Sequence, residues 1–119
     1  MNIYVPSNAE TLKAQKTKVA QIIKENPGYV PIACHKTGVG VHLQKNARTR
    51  FLFPADKLFS VFQFSFRKEL QLDQTQSIFF FTLNNHLISQ SSTVIELYNR
   101  FKSEDDVLHL LYTTESTFG

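Results

Sequence analysis

The residues that decide the fold are RTRFLFP, at positions 48–54. Their β-branched and aromatic side chains, and the proline that closes the run, predict a β-strand. Successive side chains of a strand point to opposite faces, so Arg48, Arg50 and Leu52 share one face while Thr49, Phe51 and Phe53 share the other. This division predicts an exposed or half-exposed edge strand. The unpaired backbone N–H and C=O groups of an edge must be covered or must bind a partner.

The length and composition indicate one globular domain. A chain of 119 residues has enough material for a single core, and eleven phenylalanines with no tryptophan predict that this core is aromatic. The longest apolar run, residues 78–81, is far shorter than the roughly 20 residues that span a bilayer. The N-terminal residues lack the basic and apolar regions of a secretory signal. The single cysteine, Cys34, forms no internal disulfide, so a cytoplasmic protein is predicted.

The net charge of +3 conceals an asymmetry between the two halves of the chain. Residues 1–68 hold eleven Lys and Arg side chains and three acids, whereas residues 69–119 hold two basic side chains and seven acids. A basic half can attract nucleic acid, anionic lipid or acidic peptides. Because the basic residues are scattered along the sequence, an ordinary solvated surface is an equally good interpretation.

The first half of the chain is divided by turn-forming residues. Ser7 and Glu10 have the spacing of a capping box, which predicts a helix that runs to about Lys24. Asn26-Pro27-Gly28 is typical of a helix end. The elements predicted after it are a strand at Tyr29–Lys36, a hairpin loop at 37–46 and the returning strand at 48–53.

The second half alternates between helices and strands. Asp56 follows Pro54 closely and is expected at or near the N-cap of a helix that runs to about Leu70. Thr93 and Glu96 have capping-box spacing and predict another helix. The predicted strands are Ser77–Thr82, a stub at His86–Ile88, and Val107–Tyr112, whose nearly continuous apolar run is typical of a central strand.

The order of these elements predicts the fold. After the first helix it is ββαββαβ, in which a hairpin, a helix that crosses it and a central last strand form the ubiquitin-like β-grasp. The predicted class is α+β, with a four- to five-stranded mixed sheet and an N-terminal helical extension. The predicted division is residues 1–26 for the extension and residues 27–119 for the ubiquitin-like domain with its C-terminal tail.

The sequence lacks motifs that would indicate catalysis. The four histidines show neither HxxxH nor HExxH spacing, and one cysteine cannot build a thiolate zinc site. No glycine-rich phosphate loop is present. Cys34 alternates with apolar residues and is interpreted as a small buried side chain, while the adjacent His35 points to the opposite face of the strand. No enzyme activity, metal or cofactor is therefore predicted.

In combination, the motifs resemble those of the autophagy-related protein eight family of ubiquitin-like modifiers, which includes GABARAP and the microtubule-associated light chains. The order and spacing of the matching pieces, from about residue 22 to the end, carry the resemblance. They are Pro27, Val30-Pro31, Arg50-Phe51-Leu52-Phe53-Pro54 with Asp56, Phe62, Arg67-Lys68, Phe79-Phe80-Phe81, Asn84-Asn85, Leu97-Tyr98, Glu104-Asp105, Glu115-Ser116 and Phe118-Gly119.

The resemblance implies a modifier that is joined through its terminal glycine, Gly119, to phosphatidylethanolamine. It implies a ubiquitin-activating-like enzyme, a conjugating-like enzyme and a processing and deconjugating cysteine protease as partners, and no nucleic acid. Because no residue follows Gly119, the chain would be either ready for activation as made or already trimmed. The implied location is the cytoplasm, and the autophagosome membrane when the chain is lipidated.

The resemblance also implies a binding site for receptor peptides of the type aromatic-x-x-aliphatic with acidic flanks, which add a strand beside the predicted edge. The implied aromatic pocket is lined by Ile22, Pro31, Arg50 and Leu52, with Lys18 where the family usually has a glutamate. The implied aliphatic pocket is lined by Phe51, Phe53, Pro54 and Phe62. The acidic flanks would meet Arg48, Arg50 and Arg67, which mainly speed and orient the encounter.

Some positions depart from the family pattern. Lys57 and Ser65 stand where aliphatic pocket residues are expected, and Glu69 replaces a basic residue. These changes imply a smaller or more polar second pocket and an altered receptor preference. Two alternatives remain open from the sequence: a ubiquitin-like interaction domain that is never conjugated, and a small nucleic-acid binder, whose affinity would depend steeply on salt.

Overall fold

The computed structural model describes residues 12–37 and 50–116. The first predicted capping box and nearly all of the predicted hairpin loop lie outside these residues. The elements are α1 (Leu12–Glu25), β1 (Tyr29–Lys36), β2 (Arg50–Pro54), α2 (Phe59–Glu69), β3 (Gln76–Phe81), α3 (Val94–Phe101) and β4 (Leu108–Ser116).

The four strands form one mixed sheet in the order β2-β1-β4-β3. β1 pairs antiparallel with β2 and parallel with β4, and β3 pairs antiparallel with β4. Parallel neighbours need a long crossover, which the segment containing α2, β3 and α3 supplies here. β4 is an inner strand, as its apolar sequence predicts. The β-grasp arrangement predicted from the order of elements is confirmed.

The turn after α1 explains why β1 begins at Tyr29. The side-chain amide of Asn26 donates to the Ile22 carbonyl across 2.8 Å at the end of the helix. Gly28 then takes φ +84°, a left-handed conformation that residues with a Cβ adopt only at a cost. The Tyr29 N–H donates to the Asn26 carbonyl across 3.2 Å and closes the turn. The helix end and the strand start predicted here are both confirmed.

The main core lies between the sheet and helices α2 and α3, and it is aromatic. Phe59, Phe62 and Phe66 are buried along the inner face of α2 at helical spacing. Phe66 meets Tyr112 of β4 edge-on with ring centroids 4.9 Å apart, and Phe59 meets Phe80 of β3 edge-on at 5.1 Å. Such ring pairs contribute about 0.5–1.5 kcal/mol each beyond the burial of their area. The aromatic core predicted from composition is confirmed.

A smaller apolar cluster lies on the opposite face of the sheet, under α1. Val19 of α1, Ala33 of β1 and Val107, just before β4, are buried there. Ile22 and Leu52 are partly buried and pack against this cluster. The contact fixes α1 against β1 and brings side chains of α1 beside β2.

The start of α2 differs from the prediction. Asp56 is not the N-cap, because the helix begins at Phe59 and the N-cap position is Leu58, which has extended backbone and no side-chain cap. The Phe59 N–H instead donates to the backbone carbonyl of Ser92 across 2.8 Å. The Ser92 carbonyl, from the segment before α3, therefore satisfies a backbone donor that is unpaired at the start of the helix. Asp56 was expected to provide this cap locally.

The segment between β3 and α3 forms a tight reversal. The stub predicted at His86–Ile88 is a single β-bridge to the end of β3 and not a strand, so the described sheet has four strands. Asn85 has φ 65°, which confirms the positive φ predicted for this turn. The capping box of Thr93 and Glu96 is present with both reciprocal hydrogen bonds, which confirms the predicted start of α3.

Candidate functional site

The strand β2 forms an open margin of the sheet. In the strand order it has β1 on one side and, among residues 12–37 and 50–116, no further strand on the other. All 5 of its residues are half-buried, so the strand is neither covered nor fully solvated. Such an edge offers unpaired backbone groups to an added strand. The edge strand predicted from the sequence is confirmed.

The α1 side of this margin brings together the residues predicted for the aromatic pocket. Leu52 stands opposite Pro31 in the β1–β2 pairing, and paired residues share a face of the sheet. Arg50 precedes Leu52 by two positions and therefore lies on the same face. Ile22 packs against the same apolar cluster as Leu52. Lys18 precedes Ile22 by about one helical turn and is exposed. We call this region the α1 cleft.

The α2 side brings together the second predicted set. Phe51 and Phe53 meet Phe62 of α2 edge-on, with ring centroids 5.5 and 5.1 Å apart. Because Phe62 is only 1% exposed, it forms the buried base of this region and not its wall. The half-buried side chains left at the surface are those of Phe51 and Phe53. Pro54 is also half-buried, but alternation along β2 puts it on the face of Leu52, so its place in this region stays a prediction. We call this region the α2 cleft.

Arg67 is placed differently from the other predicted site residues. It lies in the last turn of α2, and its guanidinium donates to the backbone carbonyls of Gln76 and Asp73 across 2.6 and 2.8 Å. These two bonds hold the connection between α2 and β3, so the side chain is engaged with the fold. A contact between Arg67 and an acidic peptide flank stays a prediction. Arg48 and Gly119 lie outside the described residues.

A chain of hydrogen-bonded polar side chains lies on the α1 face, and the sequence motifs do not reveal it. His35 of β1 and His109 of β4 stack with ring centroids 5.1 Å apart, and His35 Nε2 lies 2.9 Å from His109 Nδ1. His109 Nε2 lies 2.7 Å from Asp105 Oδ2, which also accepts from Gln15 Nε2 of α1 across 2.9 Å. The other carboxylate oxygen of Asp105 accepts from the Val107 N–H across 3.0 Å. These hydrogen-bonded side chains link α1, the α3–β4 connection and two inner strands.

Burial and neighbouring charges shift the pKa of His35 within this hydrogen-bonded group of side chains. Burial lowers the pKa of His35, and the neighbouring His109 and Arg50 lower it further, while Asp105 opposes them. Gln15 and Asp105 are themselves buried. His35 and His109 are 74 positions apart and meet only because β1 and β4 pair in parallel. In the sequence, these two histidines have neither metal-binding nor catalytic spacing. Their positions in the side-chain alternation of two predicted strands were the only indication that they could share a face of the sheet.

Other chemistry-bearing groups have simple roles. Cys34 is buried, and burial raises the pKa of its thiol well above the ordinary value, which confirms the prediction of a small buried side chain. A thiol of this kind is not a ready nucleophile near neutral pH. Residues 12–37 and 50–116 contain no cluster of three or more side chains that could ligate a metal. None of the helices described here is long and apolar enough to traverse a lipid bilayer.

These features define a class of protein: a ubiquitin-like β-grasp domain whose open edge strand has partly buried apolar side chains on both faces of the sheet. The sequence model of the family described as "Autophagy protein Atg8 ubiquitin like" matches residues 14–119. The chain belongs to this Atg8 family and is a ubiquitin-like modifier of autophagy. Proteins of the family are modifiers and not enzymes, which confirms the prediction that this chain is not an enzyme.

Individual relatives agree with this assignment. Autophagy-related protein 8h of Arabidopsis thaliana is 34% identical over 98 residues, which cover 82% of this chain and 81% of that protein. Autophagy-related protein 8 of Scheffersomyces stipitis is 30% identical over 110 residues, which cover 92% of this chain and 76% of that protein.

Solved structures show the same fold. Trypanosoma brucei ATG8 aligns with a TM-score of 0.79 at 26% identity and covers 96% of this chain and 100% of its own. Plasmodium falciparum Atg8, solved in complex with a Plasmodium falciparum Atg3 peptide, aligns with a TM-score of 0.77 at 21% identity, over 94% of this chain and 98% of its own. The ubiquitin-like fold predicted from the order of elements is thereby confirmed.

Proposed function

We propose that this chain is conjugated through Gly119 to phosphatidylethanolamine on autophagosomal membranes, where it recruits receptors or cargo that carry aromatic-x-x-aliphatic motifs. The observation that supports recruitment is the open β2 margin with partly buried apolar side chains on each face of the sheet. In this proposal residues 1–26 are an N-terminal helical extension and residues 27–119 are the conjugated domain. The alternative is a ubiquitin-like domain that binds peptides and is never conjugated.

A receptor peptide would bind as an additional strand along β2. Its backbone would pair with the N–H and C=O groups that β2 does not share with β1. In an extended peptide, residues three positions apart point to opposite faces, because side chains alternate with a period of two. The aromatic and aliphatic anchors of the motif are three positions apart. One anchor would therefore enter the α1 cleft and the other the α2 cleft.

The chemistry of the two clefts supports this assignment of anchors. Ile22 and Leu52 give the α1 cleft an apolar surface against which a flat aromatic ring can pack. Arg50 at the same face carries a positive charge that favours acidic residues near the aromatic anchor. Phe51 and Phe53 give the α2 cleft aromatic walls on a buried base, where an aliphatic anchor would be held.

The conjugation part of the proposal is supported by family membership and by the tail sequence. β4 stays in register with β3 up to Ser116, which pairs with Gln76. Gly119 follows three positions later, and such a segment reaches at most about 11 Å. Because glycine has no Cβ, its carboxylate can enter a narrow active site, become activated, and pass to a thiol and then to an amine.

The proposal requires several partners and two locations. Activation would need a ubiquitin-activating-like enzyme, transfer a conjugating-like enzyme, and processing or release a cysteine protease. The chain would be cytoplasmic before conjugation and bound to the autophagosome membrane after it. Peptide binding by this fold is supported by Plasmodium falciparum Atg8, which was solved in complex with an Atg3 peptide.

Intact-mass measurement tests conjugation. Membrane and soluble fractions of starved native cells are compared for the wild type, for Gly119→Ala, and for Thr117→Ser as a tail control. The expected result is a membrane-bound species heavier by one phosphatidylethanolamine less one water, in the wild type and in Thr117→Ser only. Unmodified protein in every fraction, or covalent attachment of Gly119→Ala, would overturn conjugation and leave the non-conjugated domain as the function.

Peptide spacing tests recruitment separately. An acidic-flanked aromatic-x-x-leucine peptide should bind the purified chain in calorimetry. The matched aromatic-x-leucine peptide, one residue shorter between its anchors, should lose most of the affinity because both anchors then point to one face of the added strand. Equal binding of the two peptides would contradict a two-faced site on β2.

A further inference from the structure

A cation and two histidines lie side by side at the α1 cleft. Ala33 of β1 pairs with Arg50 of β2 on one side and with His109 of β4 on the other. Paired residues share a face, so these three form a row across the sheet with a small side chain in the middle. His35 follows Ala33 by two positions and projects from the same face. The histidine pair therefore adjoins the open margin.

One arrangement of protons satisfies the hydrogen bonds of the histidine pair with both rings neutral. An ionised Asp105 only accepts, so His109 Nε2 carries a proton and donates it to Oδ2. With a neutral His109 ring, Nδ1 is an acceptor, and His35 Nε2 donates to it across 2.9 Å. The nitrogen left to take the next proton is His35 Nδ1. In this arrangement a further proton enters the pair at His35 Nδ1.

The surroundings of His35 contain the guanidinium of Arg50, one nitrogen of which lacks an acceptor among the described residues. Arg50 Nε is buried and has no hydrogen-bond partner within the described residues. A buried donor without an acceptor is costly, and a carboxylate is the strongest acceptor for a guanidinium. Lys18, one turn beyond Gln15 on α1, is solvent-exposed. Within residues 12–37 and 50–116, the groups that bond to or act electrostatically on the histidine pair include the Arg50 cation from β2 and the Asp105 carboxylate from the α3–β4 connection. The neutral Gln15 amide of α1 bonds to the same carboxylate.

We propose that Arg50 and His35 together bind a carboxylate from the acidic flank of a receptor peptide, and that protonation of His35 strengthens this binding as the pH falls. The inference rests on the proposed peptide-binding function of β2. It adds His35 as a residue that determines the preference for acidic flanks. Without peptide, a proton on His35 is opposed by Arg50. A carboxylate seated between them removes that opposition, so peptide binding and proton uptake favour each other reciprocally.

The direction of the pH effect follows from this linkage. Burial, and then His109 and Arg50, lower the pKa of His35 in the free protein. A bound carboxylate raises that pKa. Affinity is therefore constant above the pKa of the bound state, rises as the pH falls through it, and levels off below the pKa of the free state. Each unit of difference between the two pKa values is worth about tenfold in affinity at the low-pH limit.

Calorimetry of the full chain with an acidic-flanked aromatic-x-x-leucine peptide tests the inference at about pH 7.5 and about pH 5.5, which bracket histidine titration. We expect the peptide to bind at least about threefold more tightly at the lower pH. This gain is smaller than the low-pH limit of about tenfold per unit of pKa difference, because the two pH values cover only part of the titration. Proton uptake should appear as a difference in heat between two buffers of unequal ionisation enthalpy. Protonation of the peptide's own carboxylates weakens binding as the pH falls, so it cannot mimic the effect.

Matched variants isolate His35 from the other histidines. His35→Gln should lose the gain in affinity at low pH, whereas His86→Gln, at the exposed reversal after β3, should keep it. A peptide whose flanking acids are replaced by amides should also lose the gain. A second measurement needs no variant: the pKa of the His35 imidazole, followed by NMR in the wild type, should be higher with peptide than without.

The outcomes separate this inference from the function on which it rests. Wild-type binding with a flat pH profile, a gain that survives in His35→Gln, or an unchanged His35 pKa with peptide would overturn this inference alone. Absence of peptide binding at every pH would overturn it together with the proposed function.

Discussion

Pro31 of β1 stands directly opposite Leu52 of β2, on the sheet face that α1 covers. The Ala55 N–H donates to the Gly28 carbonyl, and hydrogen-bonded pairs alternate along an antiparallel ladder, so Pro31 and Leu52 form a non-hydrogen-bonded pair. The missing proline N–H therefore costs β2 no backbone bond. The two side chains provide packing surface there instead. Ile22 of α1 packs against the same apolar cluster as Leu52. The base of the α1 cleft is thus built from three elements that meet only in the folded chain.

Truncation of Leu52 should weaken peptide binding at this cleft. Loss of a central apolar contact costs on the order of 1.4 kcal/mol, so Leu52→Ala should bind an acidic aromatic-x-x-leucine peptide about tenfold more weakly. Leu87→Ala is the matched control, because Leu87 is 67% exposed beside β3 at the far edge of the sheet. Fluorescence anisotropy measures both. If the folded Leu52→Ala protein binds like the wild type, the α1 cleft is not the aromatic pocket.

The reciprocal cap at the start of α3 should make a measurable contribution to stability. The Thr93 hydroxyl accepts from the Glu96 N–H across 3.3 Å, and the Glu96 carboxylate accepts from the Thr93 N–H across 3.0 Å. Thr93→Ala should lower the free energy of unfolding by about 1 kcal/mol, a typical loss for an N-cap. Thr93→Ser retains a hydroxyl and should lose much less. Urea denaturation compares them, and equal stability of the two variants would contradict the role of the hydroxyl.

The same cap predicts a dependence of stability on pH. Hydrogen bonds from the Thr93 side chain and then its backbone lower the pKa of Glu96 below its ordinary 4.5. A pKa lowered by folding gives a stabilisation that is present above the unfolded value and is lost as the pH falls through the folded one. The stability advantage of wild type over Glu96→Gln should therefore shrink between about pH 5 and about pH 3. Glu104→Gln, outside the cap, serves as the control, and an advantage that stays constant would refute the linkage.

The sequence predicts β2 well because the information there is local. Alternation of side chains and the terminal Pro54 are sufficient for strand, facing and edge character. The start of α2 is different. Asp56 obeys the local capping rule, yet a distant carbonyl at Ser92 satisfies the first donor of the helix, and no local pattern contains that contact.

The polar groups near the site show the same limit. His35 and His109 occupy ordinary strand positions, and their hydrogen bond exists only after β1 and β4 come into parallel register. Arg67 belongs to a matching basic motif, but its two backbone acceptors are defined by the loop that follows α2. Local patterns therefore predict which residues line the open margin, whereas long-range pairing decides which polar groups remain available to a partner.

Removal of the Arg67 side chain should destabilise the connection between α2 and β3. Two charge-assisted bonds to the Gln76 and Asp73 carbonyls would be lost, and bonds to charged groups contribute about 1.5–3 kcal/mol each when well shielded. Because the site is partly exposed, Arg67→Ala should lose about 1–2 kcal/mol in urea denaturation. The control is Lys68→Ala, whose ammonium lies 4.4 Å from the Phe64 ring at the surface and should contribute less. An Arg67→Ala loss no larger than that of Lys68→Ala would show that the two bonds do not stabilise the fold.

The thiol of Cys34 should report whether the main core opens. It is buried, and burial raises its pKa, so the native protein should react with an aromatic disulfide reagent near neutral pH far more slowly than the urea-unfolded protein. Ser91→Cys adds an exposed thiol before α3 as a matched control. That variant should show one rapidly reacting thiol and one protected thiol in the native state. Rapid reaction of Cys34 in the native wild type would mean that the sheet face beneath α2 is accessible, which contradicts the packing of Phe62 and Phe66 against it.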